Sequence, residues 1–234
     1  MPFSIFNREP KRFFTVGDIQ PNTILLILTN CQGEWLERGF GAFIRRNFPA
    51  AYDRYRAICQ EYAAGELPTR DLVGTCQIIP PLSVDVVGQS VPPVYIACLF
   101  CSYGDGRHNW FSPKKPGRDG KAKVLAQTES AIVHFKQLLI QKGREHSTGN
   151  LHDTQWTASG KNMMILSEDN NPKDFQLKHE EVLALIIKHF QNWEGMLYLW
   201  NKVVSDRTMR YEKLLAHLDP ENLLGYLDPK TKMV

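Results

Sequence analysis

Residues 24–35 read Ile24-Leu25-Leu26-Ile27-Leu28-Thr29-Asn30-Cys31-Gln32-Gly33-Glu34-Trp35. The unbroken apolar run at its start predicts a strand buried on both faces. That run ends in Asn30 and enters a loop containing Gly33, Gly39 and Gly41. In an open α/β sheet, loops at the carboxyl ends of strands are where ligands bind. Glycines let a backbone approach a phosphate closely, and free N–H groups at a helix start favour anions. Asn30 offers both a donor and an acceptor, which suits a ribose hydroxyl. The same strand–loop–helix pattern also serves as a plain connection that binds nothing.

Working outward, the pattern turns helical from Ala42. Phe43, Ile44 and Phe48 precede Pro49, and Tyr52, Tyr55, Ile58, Cys59 and Tyr62 follow at spacings of three and four. Pro49 suits the first turn of a second helix, where its missing N–H costs nothing. Phe13 to Val16 predicts a short strand after a loose lead-in over residues 1–12. Leu72 to Ile79 and Val94 to Phe100 predict two more strands, separated by a Pro-containing loop from Pro80 to Pro93. Ser102 to Lys123 reads as a long basic loop. Ala122 to Ile140 reads as an amphipathic helix with Val124, Ile132, Phe135, Leu138 and Leu139 on its face. Alternating strands and helices point to an α/β domain with a largely parallel sheet.

The character changes beyond Lys142. The expected organisation is a core over residues 13–143, a polar linker or loop over 144–177 with one strand candidate at the apolar island Met163 to Leu166, and a helical extension over 178–227. In the extension, Val182, Leu185, Ile186, His189, Trp193, Met196, Leu197 and Trp200 mark one side of a helix running from Lys178 to Tyr211. Asp219-Pro220 is a start signal for another short helix. Such helices are a candidate surface for a protein partner.

Composition narrows the function classes. With 28 basic and 25 acidic residues the net charge is +3, too balanced for nucleic acid to be the main partner. The Lys114-Lys115-Pro116-Gly117-Arg118 run reads as a solvated loop. No apolar stretch approaches the roughly 20 residues of a membrane span. The N-terminus carries no signal-peptide pattern. An odd number of cysteines, five, with three in apolar runs, fits reduced thiols in the cytoplasm or nucleus. Cys98 and Cys101 form a C-x-x-C, but within a strand they point to opposite faces and cannot chelate one ion. His179-Glu180-Glu181 and His189 do not make H-E-x-x-H. No metal and no cofactor are expected.

Several ordered motifs then coincide. Gly17-Asp18-Ile19 is followed by Asn30-Cys31-Gln32-Gly33-Glu34-Trp35, by Gly39-Phe40-Gly41, and by Phe48-Pro49-Ala50-Ala51-Tyr52-Asp53-Arg54-Tyr55. Gly74 to Pro80, Tyr95 to Phe100 and Ser102-Tyr103-Gly104 come next. Over about 140 residues this order resembles the macrodomain family, specifically its fungal ADP-ribose 1″-phosphate phosphatase branch. The resemblance implies a three-layer α/β/α fold with a mixed, largely parallel central sheet, to which the helical extension is added. It implies ADP-ribose or ADP-ribose 1″-phosphate as ligand, and hydrolysis of the terminal phosphate; related macrodomains remove ADP-ribose from proteins, and a non-catalytic reader or a scaffold are the alternatives.

The same resemblance assigns roles. Asp18 would accept from the adenine amino group, and Ile19 would add a backbone contact. Asn30, the candidate catalytic residue, would hold the distal ribose near the scissile phosphate. Gly33 and Trp35 would line the ribose pocket. Gly39, Phe40 and Gly41 would wrap the diphosphate through backbone N–H groups, and Ser102 and Gly104 would close the pocket from the next strand. Two departures stand out. Leu36-Glu37-Arg38 replaces a Gly-x-Gly, and no Ser-Gly-x-Phe-Gly loop follows the long helix; Ser159-Gly160 precedes the apolar island rather than following it.

Overall fold

The structure, a computed structural model, describes residues 4–8, 16–35, 39–64, 67–68, 70–88, 90–104, 117–147, 163–167, 175–193 and 196–200. Six strands form its main sheet: β1 (Ser4–Arg8), β2 (Ile24–Asn30), β3 (Cys76–Ile79), β4 (Tyr95–Ser102), β5 (Met163–Ser167) and β6 (Met196–Trp200). Their order across the sheet is β1-β6-β5-β2-β4-β3. All neighbours are parallel except β3, which runs antiparallel to β4 at the edge. The helices are α1 (Gly39–Asn47), α2 (Pro49–Glu61), α3 (Ser83–Gly88), α4 (Lys121–Ser147) and α5 (His179–Phe190).

Every residue of β2 and of β4 is buried. Alternate side chains therefore enter two cores, as a strand covered on both faces requires. Ile24, Leu26, Leu28, Ala97 and Leu99 meet α4 and α5 through Phe135, Leu139, Leu183 and Phe190. Leu25, Ile27, Ile96 and Phe100 meet α1 and α2 through Ile44, Tyr55 and Ile58. This is the expected three-layer α/β/α arrangement with a mixed, largely parallel sheet. Cys98 and Cys101 enter opposite cores, as the strand period demands.

Several local expectations are corrected. The lead-in contains β1, a short edge strand. Val16 belongs to a 3-10 turn, Val16–Asp18, rather than to a strand; residues 13–15 lie outside the described residues. Only Cys76–Ile79 of the stretch from Leu72 is strand, because residues 71–74 form a turn. The Pro-containing loop holds α3. The expected linker contributes β5 to the sheet, beside β2. The expected helical extension contributes α5 and then β6, which lies between β1 and β5. Met196, Leu197 and Trp200 are thus strand residues, and the described sheet does not stop at residue 143. The cause is packing: α5 buries Val182, Leu183, Leu185, Ile186 and Phe190 against the sheet, and β6 takes the parallel register beside β5. Phe190 packs on Phe135 at 5.8 Å and on Trp193 at 5.7 Å. The apolar face of α5 is thus spent on the core, and residues 201–227 of the expected partner surface lie outside the described residues. The helix expected to continue to Tyr211 and the one expected after Asp219 lie outside the described residues.

One distant carboxylate sets the start of α2. Pro49 opens the helix, and its N-cap Phe48 has no side-chain acceptor. Asp85 of α3, buried, accepts instead from Ala50 N–H at 2.8 Å and Ala51 N–H at 3.0 Å. It supplies the acceptor that orphan first-turn donors need, and its charge suits the helix N-terminus. Replacing Asp85 with Ala is expected to lower stability by about 1–3 kcal/mol, read as a shift in the denaturant midpoint with unchanged slope; an unchanged midpoint would remove the cap from the account.

All five cysteines are free and buried. Burial pushes the Cys59 thiol up to about 11 and the Cys101 thiol up to about 12, with Cys31, Cys76 and Cys98 also raised. Protonated, inaccessible thiols are poor nucleophiles. A thiol-disulfide reagent at pH 8 is expected to modify all five only after denaturation, as counted by chromophore release before and after adding guanidinium.

Candidate functional site

The carboxyl ends of β2 and β4 meet at a register shift: Thr29 pairs with Phe100, whereas Asn30 pairs with Ser102. The irregularity releases Asn30 from the regular ladder where the chain turns away. Asn30 is buried. Its Oδ1 accepts from the Gln32 backbone N–H at 2.8 Å, folding residues 30–32 into an Asx-type turn. Its Nδ2 donates to the Glu34 carbonyl at 3.4 Å, a long contact. Gly33 follows with φ +74°, a left-handed conformation that a side chain would strain. The turn thus requires glycine at this position.

Below the turn lies Tyr55 of α2, fully buried. Thr29 Oγ1 donates to the Tyr55 hydroxyl at 2.7 Å, and that hydroxyl donates to the Asn30 carbonyl at 2.7 Å. Desolvation raises the Tyr55 pKa well above the usual value, so the phenol stays protonated and remains a donor. Trp35 stacks on Tyr55 with ring centres 5.0 Å apart and leans on Tyr52 at 5.2 Å. The Trp35 indole N–H is buried and has no hydrogen-bond partner among the described residues. Tyr55 therefore anchors both the end of β2 and the Trp35 side of the site.

The loop after β4 is tied to the Asn30 turn through one residue. The Tyr103 carbonyl accepts from Cys31 N–H at 3.2 Å and from Gln32 Nε2 at 3.0 Å. The Tyr103 N–H donates to Asp119 Oδ2 at 3.2 Å. Asp119 also receives Arg70 Nη1 at 3.0 and 3.2 Å, while its own N–H donates to Ser102 Oγ at 3.0 Å. The Arg70 guanidinium lies 4.4 Å above the Tyr103 ring. Burial pushes the Asp119 carboxyl up, but the Tyr103 N–H, Arg70 and Lys123 together outweigh it and hold it below the usual carboxylate range.

Of the residues singled out from sequence, Asn30, Gly33, Trp35, Ser102 and Gly104 converge at this end of the sheet. Ser102 is buried and its hydroxyl is engaged by Asp119. Gly39, Phe40 and Gly41 form the first residues of α1 rather than a loop. The Phe40 side chain is buried and stacks on Phe43 at 5.9 Å, so only its backbone faces a ligand role. Ile19 has its side chain buried in the core, and its N–H donates to the Val16 carbonyl at 3.1 Å. Asp18 ends the 3-10 turn, and its side chain lies outside the described residues, as do residues 36–38 and 168–174. Tyr55, Asp119 and Arg70 were missed. Tyr55 was visible as an apolar helix position and as the end of the Phe48 to Tyr55 motif, with no role assigned to it, and a lone Asp or Arg in a loop carries no signal of a partner 16 or 49 residues away.

No family model matches the chain. Two curated relatives do. An ADP-ribose 1″-phosphate phosphatase of Aspergillus clavatus is 27% identical over 158 residues, 60% of this chain and 74% of that protein. A protein of the same name from Scheffersomyces stipitis is 42% identical over 125 residues, 51% of this chain and 61% of that protein. The chain is thus similar in sequence to proteins of the ADP-ribose 1″-phosphate phosphatase branch of the macrodomains. The macrodomain of Mycobacterium tuberculosis DarG is similar in structure with a TM-score of 0.45 and 13% identity, covering 84% of this chain and 96% of that one.

The Tyr55 hydroxyl links two buried oxygens, Thr29 Oγ1 and the Asn30 carbonyl. Tyr55→Phe keeps the ring stack and removes the link. It is expected to cost about 1–3 kcal/mol, the range for a buried group left short of a partner, measured by denaturant unfolding; a change below experimental error would show that water replaces the hydroxyl without loss.

Proposed function

We propose that the cleft at the carboxyl ends of β2 and β4 binds ADP-ribose 1″-phosphate and that the chain removes its terminal phosphate. The observation that carries this reading is the Asn30 turn: a buried amide at a strand end, a left-handed Gly33 and the Trp35 wall lie together, in the order shared with the phosphatase branch. Relatives bearing that name support it. Asp18 takes the adenine amino group. The N–H groups of Gly39, Phe40 and Gly41 at the start of α1 face the diphosphate, since first-turn donors lack partners within their helix. Asn30 holds the distal ribose beside an attacking water. Catalysis then rests on positioning and charge stabilisation, with no covalent nucleophile. Five buried, free thiols suit work in the cytoplasm or nucleus.

A second reading, ADP-ribose binding without turnover, is favoured by one specific feature. The segment after β5 reads Glu168-Asp169-Asn170-Asn171-Pro172-Lys173-Asp174 and contains no glycine. In sequence order it stands where the resemblance would put a glycine-rich, phosphate-wrapping loop, and it carries three acidic residues instead. Losing one oxyanion donor costs about 3–4 kcal/mol of transition-state stabilisation.

Calorimetric titration with ADP-ribose and phosphate release from ADP-ribose 1″-phosphate separate the readings. Binding with release, abolished in a folded Asn30→Ala variant, is the expected outcome. Binding without release leaves the reader. No heat at millimolar ligand sinks both.

A further inference from the structure

Asp119 lies outside every motif that marks the site, yet it is the point at which the two halves of the cleft are joined. Its carboxylate accepts the Tyr103 N–H, and the Tyr103 carbonyl in turn accepts both the Cys31 N–H and the Gln32 side chain. Gln32 N–H closes the turn on Asn30 Oδ1. A path therefore runs from Asp119 through the Tyr103 N–H and the Tyr103 carbonyl, which flank one Cα, to Gln32 and on to the Asn30 amide. The carboxylate itself is fixed from several directions. Its side chain is only 8% exposed, Arg70 reaches both oxygens, and Gln127 Nε2 lies at 3.4 Å. Lys123 Nζ lies 3.4 Å from Oδ1, one helical turn along the chain. Arg70 is further pressed onto the Tyr103 ring.

We propose that Asp119 is a positioning residue of this protein: its carboxylate fixes the Ser102–Gly104 loop and, through Tyr103, the Asn30–Gly33 turn. For ligand binding the assignment rests on the ADP-ribose reading; for the coupling of the two loops it does not. An acceptor at this position holds the Ser102–Tyr103 peptide plane and so restrains, across the Tyr103 Cα, the carbonyl on which the Gln32 side chain and the Cys31 N–H dock. Arg70 orients that acceptor and lies on the solvent side. The device fits a cleft whose ligand-facing groups are backbone units, because a loop can present backbone donors in one geometry only if its own ends are fixed.

The test compares Asp119→Ala, Asp119→Asn and Arg70→Ala in the full chain. Amide hydrogen exchange reads the loop without any ligand, and ADP-ribose titration reads the site. In Asp119→Ala the amides of Cys31, Gln32 and Tyr103 are expected to exchange about tenfold faster or more, while those of β2 and β4 keep their protection. ADP-ribose affinity is expected to fall about tenfold or more with the fold intact. Asp119→Asn keeps an acceptor for Tyr103 and recovers most of the loss; Arg70→Ala has a smaller effect than Asp119→Ala. Unchanged exchange at Cys31 and Gln32 in Asp119→Ala overturns the proposal whether or not the parent binds ADP-ribose. Faster exchange with unaltered affinity overturns its positioning role. A parent chain that binds no ADP-ribose removes the functional reading alone, and the exchange comparison still decides the coupling.

Discussion

The end of β2 sets a physical problem that the surrounding structure solves. A strand buried on both faces must leave the sheet through Asn30, so carbonyl, amide and side-chain polar groups arrive where water is scarce. An unpaired group there would cost a few kcal/mol. Tyr55 answers from α2, Gln32 from the turn itself, and Tyr103 from the neighbouring strand end. Each answer constrains an element. Tyr55 fixes the depth of α2 against the sheet, and Asp85 fixes where that helix begins. The Tyr103 peptide fixes the β4 loop. The candidate site is thus a by-product of satisfying buried polar groups at one strand end, and its rigidity comes from that requirement.

That origin explains which features were legible in the sequence. β2 and β4 were plain because strands covered on both sides are continuous apolar runs, and α4 was plain because it keeps one face for 20 residues or so. The Asn30 turn was legible because its chemistry is local: Asn30 bonds Gln32 two residues on, and Gly33 answers its own φ. β6 was misread because Met196-Leu197-Tyr198-Leu199-Trp200 fits a helical stripe as well as a short buried strand, and periodicity cannot separate the two over five residues. β5 was seen as an apolar island but not as a sheet member, since nothing local to Met163–Ser167 names β2 as its neighbour. β1 was hidden by its polar residues and by its place at an edge.

The contacts that shape the site beyond its motifs were out of reach for a different reason. Asp85 caps a helix 34 residues earlier, and Asp119 holds a peptide 16 residues earlier. Isolated carboxylates in loops resemble solvated surface residues until the fold brings a donor to them. The motif residues fared unevenly for the same reason. Ile19 and Phe40 carry side chains that the core claims, so whatever they offer a ligand is backbone. Ser102 gives its hydroxyl to Asp119 N–H.

The chemistry of the cleft turns on how negative charge is met. A helix N-terminus such as that of α1, Gly39–Asn47, favours a diphosphate at little cost in reorganisation. In sequence, Glu168, Asp169 and Asp174 follow β5, and residues 168–174 include no glycine. Carboxylates close to a terminal phosphate would oppose the charge density that gathers at its leaving oxygen during cleavage. Such an arrangement lowers turnover more than it lowers binding, because the penalty grows in the transition state. Between the enzyme and reader readings, the sequence that differs most from the glycine loop expected by resemblance is residues 168–174, and not the Asn30 turn that carries the resemblance.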